Sequence, residues 1–327
     1  MTAAAAAIVM IAGILTLAAG PGSKASSQTV SDQASNVPGH AGKPAARPAH
    51  TVHPAPPLRV TAMSPASGAH DVNGTRPVRV TFSAPLAASS PMPKVSPAIP
   101  GTWKREGDSA VFTPAAGFMG GTEVTVTVPG GSSGVQSAAG AHRHAGGLLA
   151  ATVTRHFTTA PFSTLRLQQL LAQLGYLPLT WAPSGTQVPS GSIAAQLAAA
   201  YNPPPGTFTW ASGYPSILGH FWQQGADNLI DTGAIRAFES QNGLTMDGIA
   251  GPEVWQALFH DVAAGKDNVN GYTYALASKA SPETLTIWHD GHVVLHSLAN
   301  TGIPAAPTAD GTFPVYERLP FQIMKGT

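Results

Sequence analysis

The 327 residues contain no cysteine, which excludes disulfide staples, thiolate metal sites and any thiol nucleophile within them. Charge is almost as scarce. Only 10% of residues are charged, and 17 basic against 16 acidic side chains leave a net charge of +1. So even a balance offers no electrostatic footprint for nucleic acid or an anionic lipid surface, and a neutral polymer or small ligand suits it better. His-Glu-x-x-His and comparable ligand sets are missing too, so a metal-dependent hydrolase has no support and no cofactor or metal is expected. What is abundant is Gly (35) and Pro (30), a usage typical of loop-rich, extended, extracytoplasmic proteins. The length suggests about two domains, or three small ones.

Ala3 to Ala19 form one apolar run, and residues 1–22 are expected to act as an export signal or a short membrane anchor. No Lys or Arg precedes Lys24, so the positive start usual for a secretory signal is lacking. Residues 23–57 are Ser, Ala, Pro and His with almost no large apolar side chain. Such a tract cannot bury enough surface to offset its ordering entropy and is expected to be a disordered or polyproline-like tether. His40, His50 and His53 read there as solvated linker residues rather than metal ligands.

From 58 to 160 the apolar period is two: Leu58 to Met63, Val78 to Phe82, Ser109 to Phe112, Glu123 to Val128 and Ala151 to Phe157 alternate between turn signals. That spacing predicts a β-sandwich. Ser64-Pro-Ala-Ser-Gly68, Val80-Thr-Phe-Ser-Ala-Pro85, Gly101-Thr-Trp103 and Phe112-Thr-Pro114 resemble a bacterial immunoglobulin-like domain, a class used mostly for spacing or adhesion. Gly130-Gly-Ser-Ser-Gly134 fits the Gly-x-Ser-x-Gly pattern of serine hydrolases. That motif needs a strand, an elbow and a helix, whereas here a small-residue loop follows.

After Pro161 the period lengthens to about 3.6. Leu167, Leu170, Leu171 and Leu174 make the apolar stripe of a helix that Gly175 ends. A second helix is expected from about Gly233, capped by Asp231 or Thr232, with Ile235 and Phe238 inward, and a third from Gly251-Pro252 with Val254, Trp255 and Leu258 inward. The segments Leu167 to Leu177 and Gly233 to Leu258 resemble the three-helix peptidoglycan-binding domain, placed at 161–262. That resemblance implies peptidoglycan as partner and a binding set at Phe238, Gln241, Asp247, Gly248 and Trp255. Asp247, Gly248 and Trp255 match family positions that also serve turn and core. Residues 178–232 separate the two segments, where the compact form has only a short loop. The insert carries Trp181, Tyr201, Trp210, Tyr214, Phe221 and Trp222, aromatics expected to pack beneath it more than to stack on sugars.

In 271–327, Tyr272, Tyr274 and Leu276 alternate, and Asp290-Gly291 between two apolar runs predicts a type I′ hairpin. His292 and His296 share a strand face without a third ligand in view. Leu285 to Gly302 and Thr308 to Tyr316 resemble the opening strands of the L,D-transpeptidase catalytic domain. In that family a cysteine thiolate, assisted by an imidazole, transfers an acyl group between peptidoglycan stem peptides. A His and a Ser-x-Gly-Cys stretch would follow, and no catalytic position carries over to these residues. The expected fold is therefore multidomain: an all-β immunoglobulin-like sandwich, a small three-helix domain with a long insert, and a partial all-β L,D-transpeptidase domain, incomplete and poorly packed. The implied protein is exported, wall-associated, of the L,D-transpeptidase family and inactive as written. The alternative is a non-catalytic wall-binding or spacer protein.

Overall fold

The computed structural model describes residues 56–138, 147–315 and 321. The Ala-rich run, the tether histidines and residues 322–327 lie outside the described residues. Among the described residues no helix is long and apolar enough to cross a membrane. The protein is multidomain, with one all-β core and one mainly helical core.

Seven strands build the first domain: β1 (Val60–Ser64), β2 (Val78–Phe82), β3 (Lys94–Ser96), β4 (Gly101–Glu106), β5 (Ser109–Pro114), β6 (Glu123–Val128) and β7 (Val153–Thr158). They form two antiparallel sheets, β1-β2-β5-β4 and β3-β6-β7, the strand order of a constant-type immunoglobulin sandwich. Val78, Val80 and Phe82 on β2 and Val124, Val126 and Val128 on β6 all point inward, while their neighbours face outward. Strict alternation is what a half-buried sheet face demands. Phe112, Phe118 and Phe157 close the core through ring contacts at 6.2–6.3 Å.

Two of these strands carry no period-2 apolar signal. β3 has three residues, and β4 is an edge strand whose Lys104, Arg105 and Glu106 are exposed. Charge at an edge discourages pairing with another chain. The Gly130 to Gly134 segment is a turn closed by Gly134 N–H donating to Gly131 C=O (3.0 Å), and it continues into an isolated bridge at Gln136 instead of a helix. Ser132 therefore lacks the elbow a nucleophile needs.

The second module contains α1 (Thr164–Gln173), β8 (Leu179–Pro183), α2 (Ile193–Tyr201), β9 (Gly206–Trp210), a 3-10 turn (Ser216–Phe221), α3 (Leu229–Asn242) and α4 (Pro252–Ala264). Leu167, Leu170, Leu171 and Leu174 are buried as their spacing requires, each worth roughly 1.5–3 kcal/mol against exposure. Gly243 and Gly265, both left-handed, end α3 and α4. Pro252 is the first residue of α4, as expected.

The start of α3 is corrected by one turn. Its cap is Asn228, whose Oδ1 accepts from Asp231 N–H at 2.9 Å. Asp231 then lies inside the first turn, where its carboxylate accepts from Asn228 Nδ2 at 2.7 Å. This reciprocal pair satisfies the helix start better than an Asp231 cap would.

α1, α3 and α4 are the three expected helices, and the insert adds α2, which joins the same core. Leu197, Ala200 and Leu218 are buried with Leu170, Phe238 and Leu258. β8 and β9 pair antiparallel around α2. Trp181, Tyr201, Tyr214, Phe221 and Trp222 pack against the core as partly buried side chains, while Trp210 stays exposed.

α2 is also what meets the sandwich. Tyr201 Oη donates to Phe118 C=O at 2.9 Å, and Ser163 N–H donates to Ala200 C=O at 2.9 Å. Between them the Phe162 ring lies edge-on to Tyr201 and Trp255, both at 4.9 Å, and to Phe259 at 5.8 Å.

The last segment forms β10 (Thr273–Ser278), β11 (Thr284–His289) and β12 (His292–Leu298) in one antiparallel sheet, followed by the short pair β13 (Gly302–Ile303) and β14 (Ala306–Pro307). Asp290 (φ 47°) and Gly291 (φ 77°) make the turn their pairing predicts, closing His289 against His292. Tyr272 and Tyr274 pack on the helical core, and Tyr214 Oη donates to Tyr272 C=O at 2.8 Å. Val293, Val294, Leu295 and Leu298 on β12 are exposed.

Gly74 tests how tightly the two modules fit. A Cβ there would collide with Tyr201 Oη and stand 2.7 Å from Phe118 C=O. Gly74→Ala is expected to destabilise by roughly 1–3 kcal/mol through overpacking, and Tyr201→Phe by about 1 kcal/mol through loss of one hydrogen bond. Thermal unfolding of both variants checks this; a Gly74→Ala protein as stable as the parent would mean the seam is slack.

Candidate functional site

The helical module buries an unusual amount of polarity. Arg166, Gln168, Gln169, Gln196, Asp231, Glu239 and Asp261 are each at most 3% exposed. Buried polar groups are costly unless bonded, and most of these are. Among the described residues Arg166 has no carboxylate partner: it donates to Gln169 Oε1 (2.9 Å) and Gln196 Oε1 (2.6 Å) and sits 5.9 Å from the Trp181 ring centre. Desolvation lowers its pKa to about 10. The network ties α1 to the insert, since Gln196 belongs to α2 and Gln169 Nε2 reaches Pro204 C=O at 2.8 Å.

A second hub ties α1 to α3. Gln168 Nε2 donates to Asp231 Oδ2 (2.7 Å) and to Gln223 C=O (2.9 Å), while its Oε1 accepts from Gly225 N–H (2.7 Å). Burial pushes the Asp231 carboxyl up to about 7, against the opposing hydrogen bonds from Gln168 and Asn228. Asp231 Oδ1 and Trp222 Nε1 make no direct hydrogen bond.

The five positions proposed for binding do not converge. Phe238 is wholly enclosed and packs edge-on to Tyr176 at 5.3 Å, a core position. Gln241 holds the linker into β10: its Nε2 donates to Asp267 C=O (3.0 Å) and its Oε1 accepts from Val269 N–H (3.2 Å). Asp247 Oδ1 accepts from Ile249 N–H (2.8 Å), and Gly248 N–H donates to Glu239 Oε2 (2.9 Å). These two residues shape the turn between α3 and α4. Desolvation raises the Glu239 pKa.

Trp255 alone of the five lines a cleft. The cleft encloses about 270 Å³ between the sandwich loop Met119-Gly120-Gly121 and the starts of α1 and α4. Phe162, Leu167, Ala250 and Pro252 complete its apolar side, and Thr164 and Asp227 its polar rim. Thr164 Oγ1 donates to Asp227 Oδ1 at 3.2 Å. The sandwich loop and Asp227 were not singled out from the sequence, because a loop glycine pair and a lone acidic residue carry no pattern until the fold brings them together.

In the last segment two histidines each pair with a threonine across the sheet. His296 Nδ1 pairs with Thr286 Oγ1 (2.8 Å) and His289 Nδ1 with Thr273 Oγ1 (3.0 Å). Among the described residues no three His, Asp or Glu side chains converge as a metal site.

Comparison with known proteins agrees with this two-core architecture. Residues 54–159 match the family described as "Bacterial Ig-like domain", and residues 232–258 the one described as "Putative peptidoglycan binding domain". No curated protein matches the chain. Solved structures that are similar include L,D-transpeptidase 3 from Mycobacterium tuberculosis, at 19% identity over 32% of this chain and 38% of that one, with a TM-score of 0.22. An L,D-transpeptidase from Mycobacterium smegmatis is 16% identical over 32% of this chain and 41% of that one, again at 0.22. A further L,D-transpeptidase from Mycobacterium tuberculosis H37Rv is 19% identical over 32% and 41%, at 0.21. The chain thus spans about two fifths of the length of these structures. One segment of the chain is thus similar to a bacterial Ig-like domain and another to a putative peptidoglycan-binding domain.

Asp231 gives the module a pH signature. Its folded pKa of about 7 stands above the ordinary 3.8, so the folded chain holds this proton more tightly than the unfolded one. The stability that follows is full below about 3.8 and is lost as pH rises through about 7. Between pH 5 and pH 8 the expected loss is on the order of 2–3 kcal/mol, about 4–12 °C in Tm. Asp231→Asn should flatten this slope in paired melting curves; an unchanged slope would remove Asp231 as its source.

Proposed function

We propose that this is an exported, wall-associated protein of the L,D-transpeptidase family that holds peptidoglycan through its helical module. The observation that carries this reading is the match of residues 232–258 to a peptidoglycan-binding family, over the α3–turn–α4 unit. The sequence resemblance of Leu285 to Gly302 and Thr308 to Tyr316 to the transpeptidase opening strands supports the family, and the Ala3 to Ala19 run supports export. The division follows the sequence: 1–22 for targeting, 23–57 as tether, 58–160 as spacer, 161–262 for binding and 271–327 as part of a catalytic domain. Of the five proposed contact positions, Trp255 meets the polymer, while Gln241, Asp247 and Gly248 hold the surrounding loops.

The second reading, a non-catalytic binding or spacing protein, is favoured by one specific fact. None of the 327 residues is a cysteine, so no thiolate among them can attack a stem-peptide carbonyl. These residues therefore bind and position, and do not transfer an acyl group.

Co-sedimentation with purified peptidoglycan sacculi tests the shared core of both readings. The full chain is expected in the pellet, and a protein that stays wholly in the supernatant would overturn the assignment. Incubated with a tetrapeptide stem, the same chain is expected to release no D-alanine above background, as measured by amino-acid analysis; release would restore an enzymatic role to it.

A further inference from the structure

We propose that the cleft at Trp255 is a composite subsite for one acetamido-sugar ring, with one wall supplied by the Ig-like domain. The inference rests on the wall-binding reading above and names the part of the polymer that the site takes. It also gives the sandwich a role in recognition, where the sequence suggested only a spacer.

The sandwich wall is fixed rather than hanging. Thr159 Oγ1 donates to Met119 C=O (2.7 Å) and accepts from Thr122 N–H (2.8 Å), and Gly121 N–H donates to Ala160 C=O (3.0 Å). Gly120 lies so close to the helical module that a Cβ would stand 2.7 Å from Phe162 N. Opposite this wall, Phe162 and Trp255 meet edge-to-face at 4.9 Å. With Leu167 and Met119 they make an apolar floor, suited to the C–H face of a pyranose and to an acetamido methyl.

The rim decides between ligands. Among the described residues Asp227 is the one charged side chain lining the cleft, and a carboxylate accepts several hydrogen bonds, so it has capacity beyond Thr164. Hydroxyl and amide N–H groups fit it. A free carboxylate, such as the end of a stem peptide, would meet like charge. Size narrows the choice further: about 270 Å³ lies just below the roughly 300–1,000 Å³ of small-ligand pockets. One ring is accommodated, not a chain of several. Binding of a free sugar is accordingly weak, and the polymer gains by repetition.

The test uses the full chain and N,N′,N″-triacetylchitotriose, read by saturation-transfer difference NMR at the acetamido methyl protons. A saturation signal is expected from the parent, abolished in Ala250→Leu, which fills the cleft from α4's side. Met119→Ala, which shortens the Ig-like wall where it packs on the helical core, should weaken binding at least threefold at a temperature where its own melting curve shows it folded. Parental affinity in both variants would overturn the composite site. So would a parent that shows no sugar signal but responds to a D-alanine-terminated stem peptide. Sacculus co-sedimentation run in parallel separates the two levels. Pelleting without a sugar signal overturns the subsite and leaves wall binding standing, whereas no pelleting sinks both.

Discussion

Phe162 is the residue on which the arrangement turns. It is the point where the chain leaves the sandwich and enters the helices, and its ring is boxed by Tyr201 from the insert and by Trp255 and Phe259 from α4. A side chain at a domain junction normally belongs to a flexible linker. Here it is held by three rings on two helices, α2 and α4, and the two flanking hydrogen bonds at Ser163 and Tyr201 leave it little freedom. The cleft exists because of this junction: remove the box and its floor disappears with it.

The insert and the buried polar network answer one another. A 55-residue excursion would expose the flank of α1, and the insert returns to cover it with α2 and the β8–β9 pair. Covering a flank that carries Arg166, Gln168 and Gln169 requires partners for each, which Gln196, Pro204, Gln223 and Asp231 provide. Such networks stabilise little in sum, because desolvation offsets most of the gain. Their geometric demands are strict, and a different seating of the insert would leave several donors unpaired.

Much of this architecture was legible in the residues, and what was not has physical causes. Val78 to Phe82 and Glu123 to Val128 announce themselves by period, Pro252 by its missing N–H, and Asp290-Gly291 by positive φ. Helix α2 did not, since Ile193 to Tyr201 is mostly alanine and shows no polar face. Strand β4 was hidden by its exposed charges, and the α3 cap by three acidic or amide residues in five positions, Asp227 to Asp231, each able to cap. Of the cleft lining, Trp255 carries a motif signal in the sequence and Asp227 and the Met119 loop carry none. Phe238 is enclosed in the core, and an aromatic on a recognised motif looks alike in sequence whether it faces a ligand or the core. Only the fold could bring Asp227 and the Met119 loop to the same place.

The position of α2 between α1 and α3 in the chain bears on how the molecule assembles. The leucine stripe of α1 finds Phe238 only after more than fifty residues have been threaded, so the helical core is built on distant contacts and on closing a long loop. The sandwich has no such dependence, as its last strand ends at Thr158, before any helix begins. A chain emerging from its N-terminus can therefore complete the β domain first and present Phe118 and Gly74 as a finished surface. Helix α2 then has a fixed wall to settle against, which shortens the search for the rest of the module.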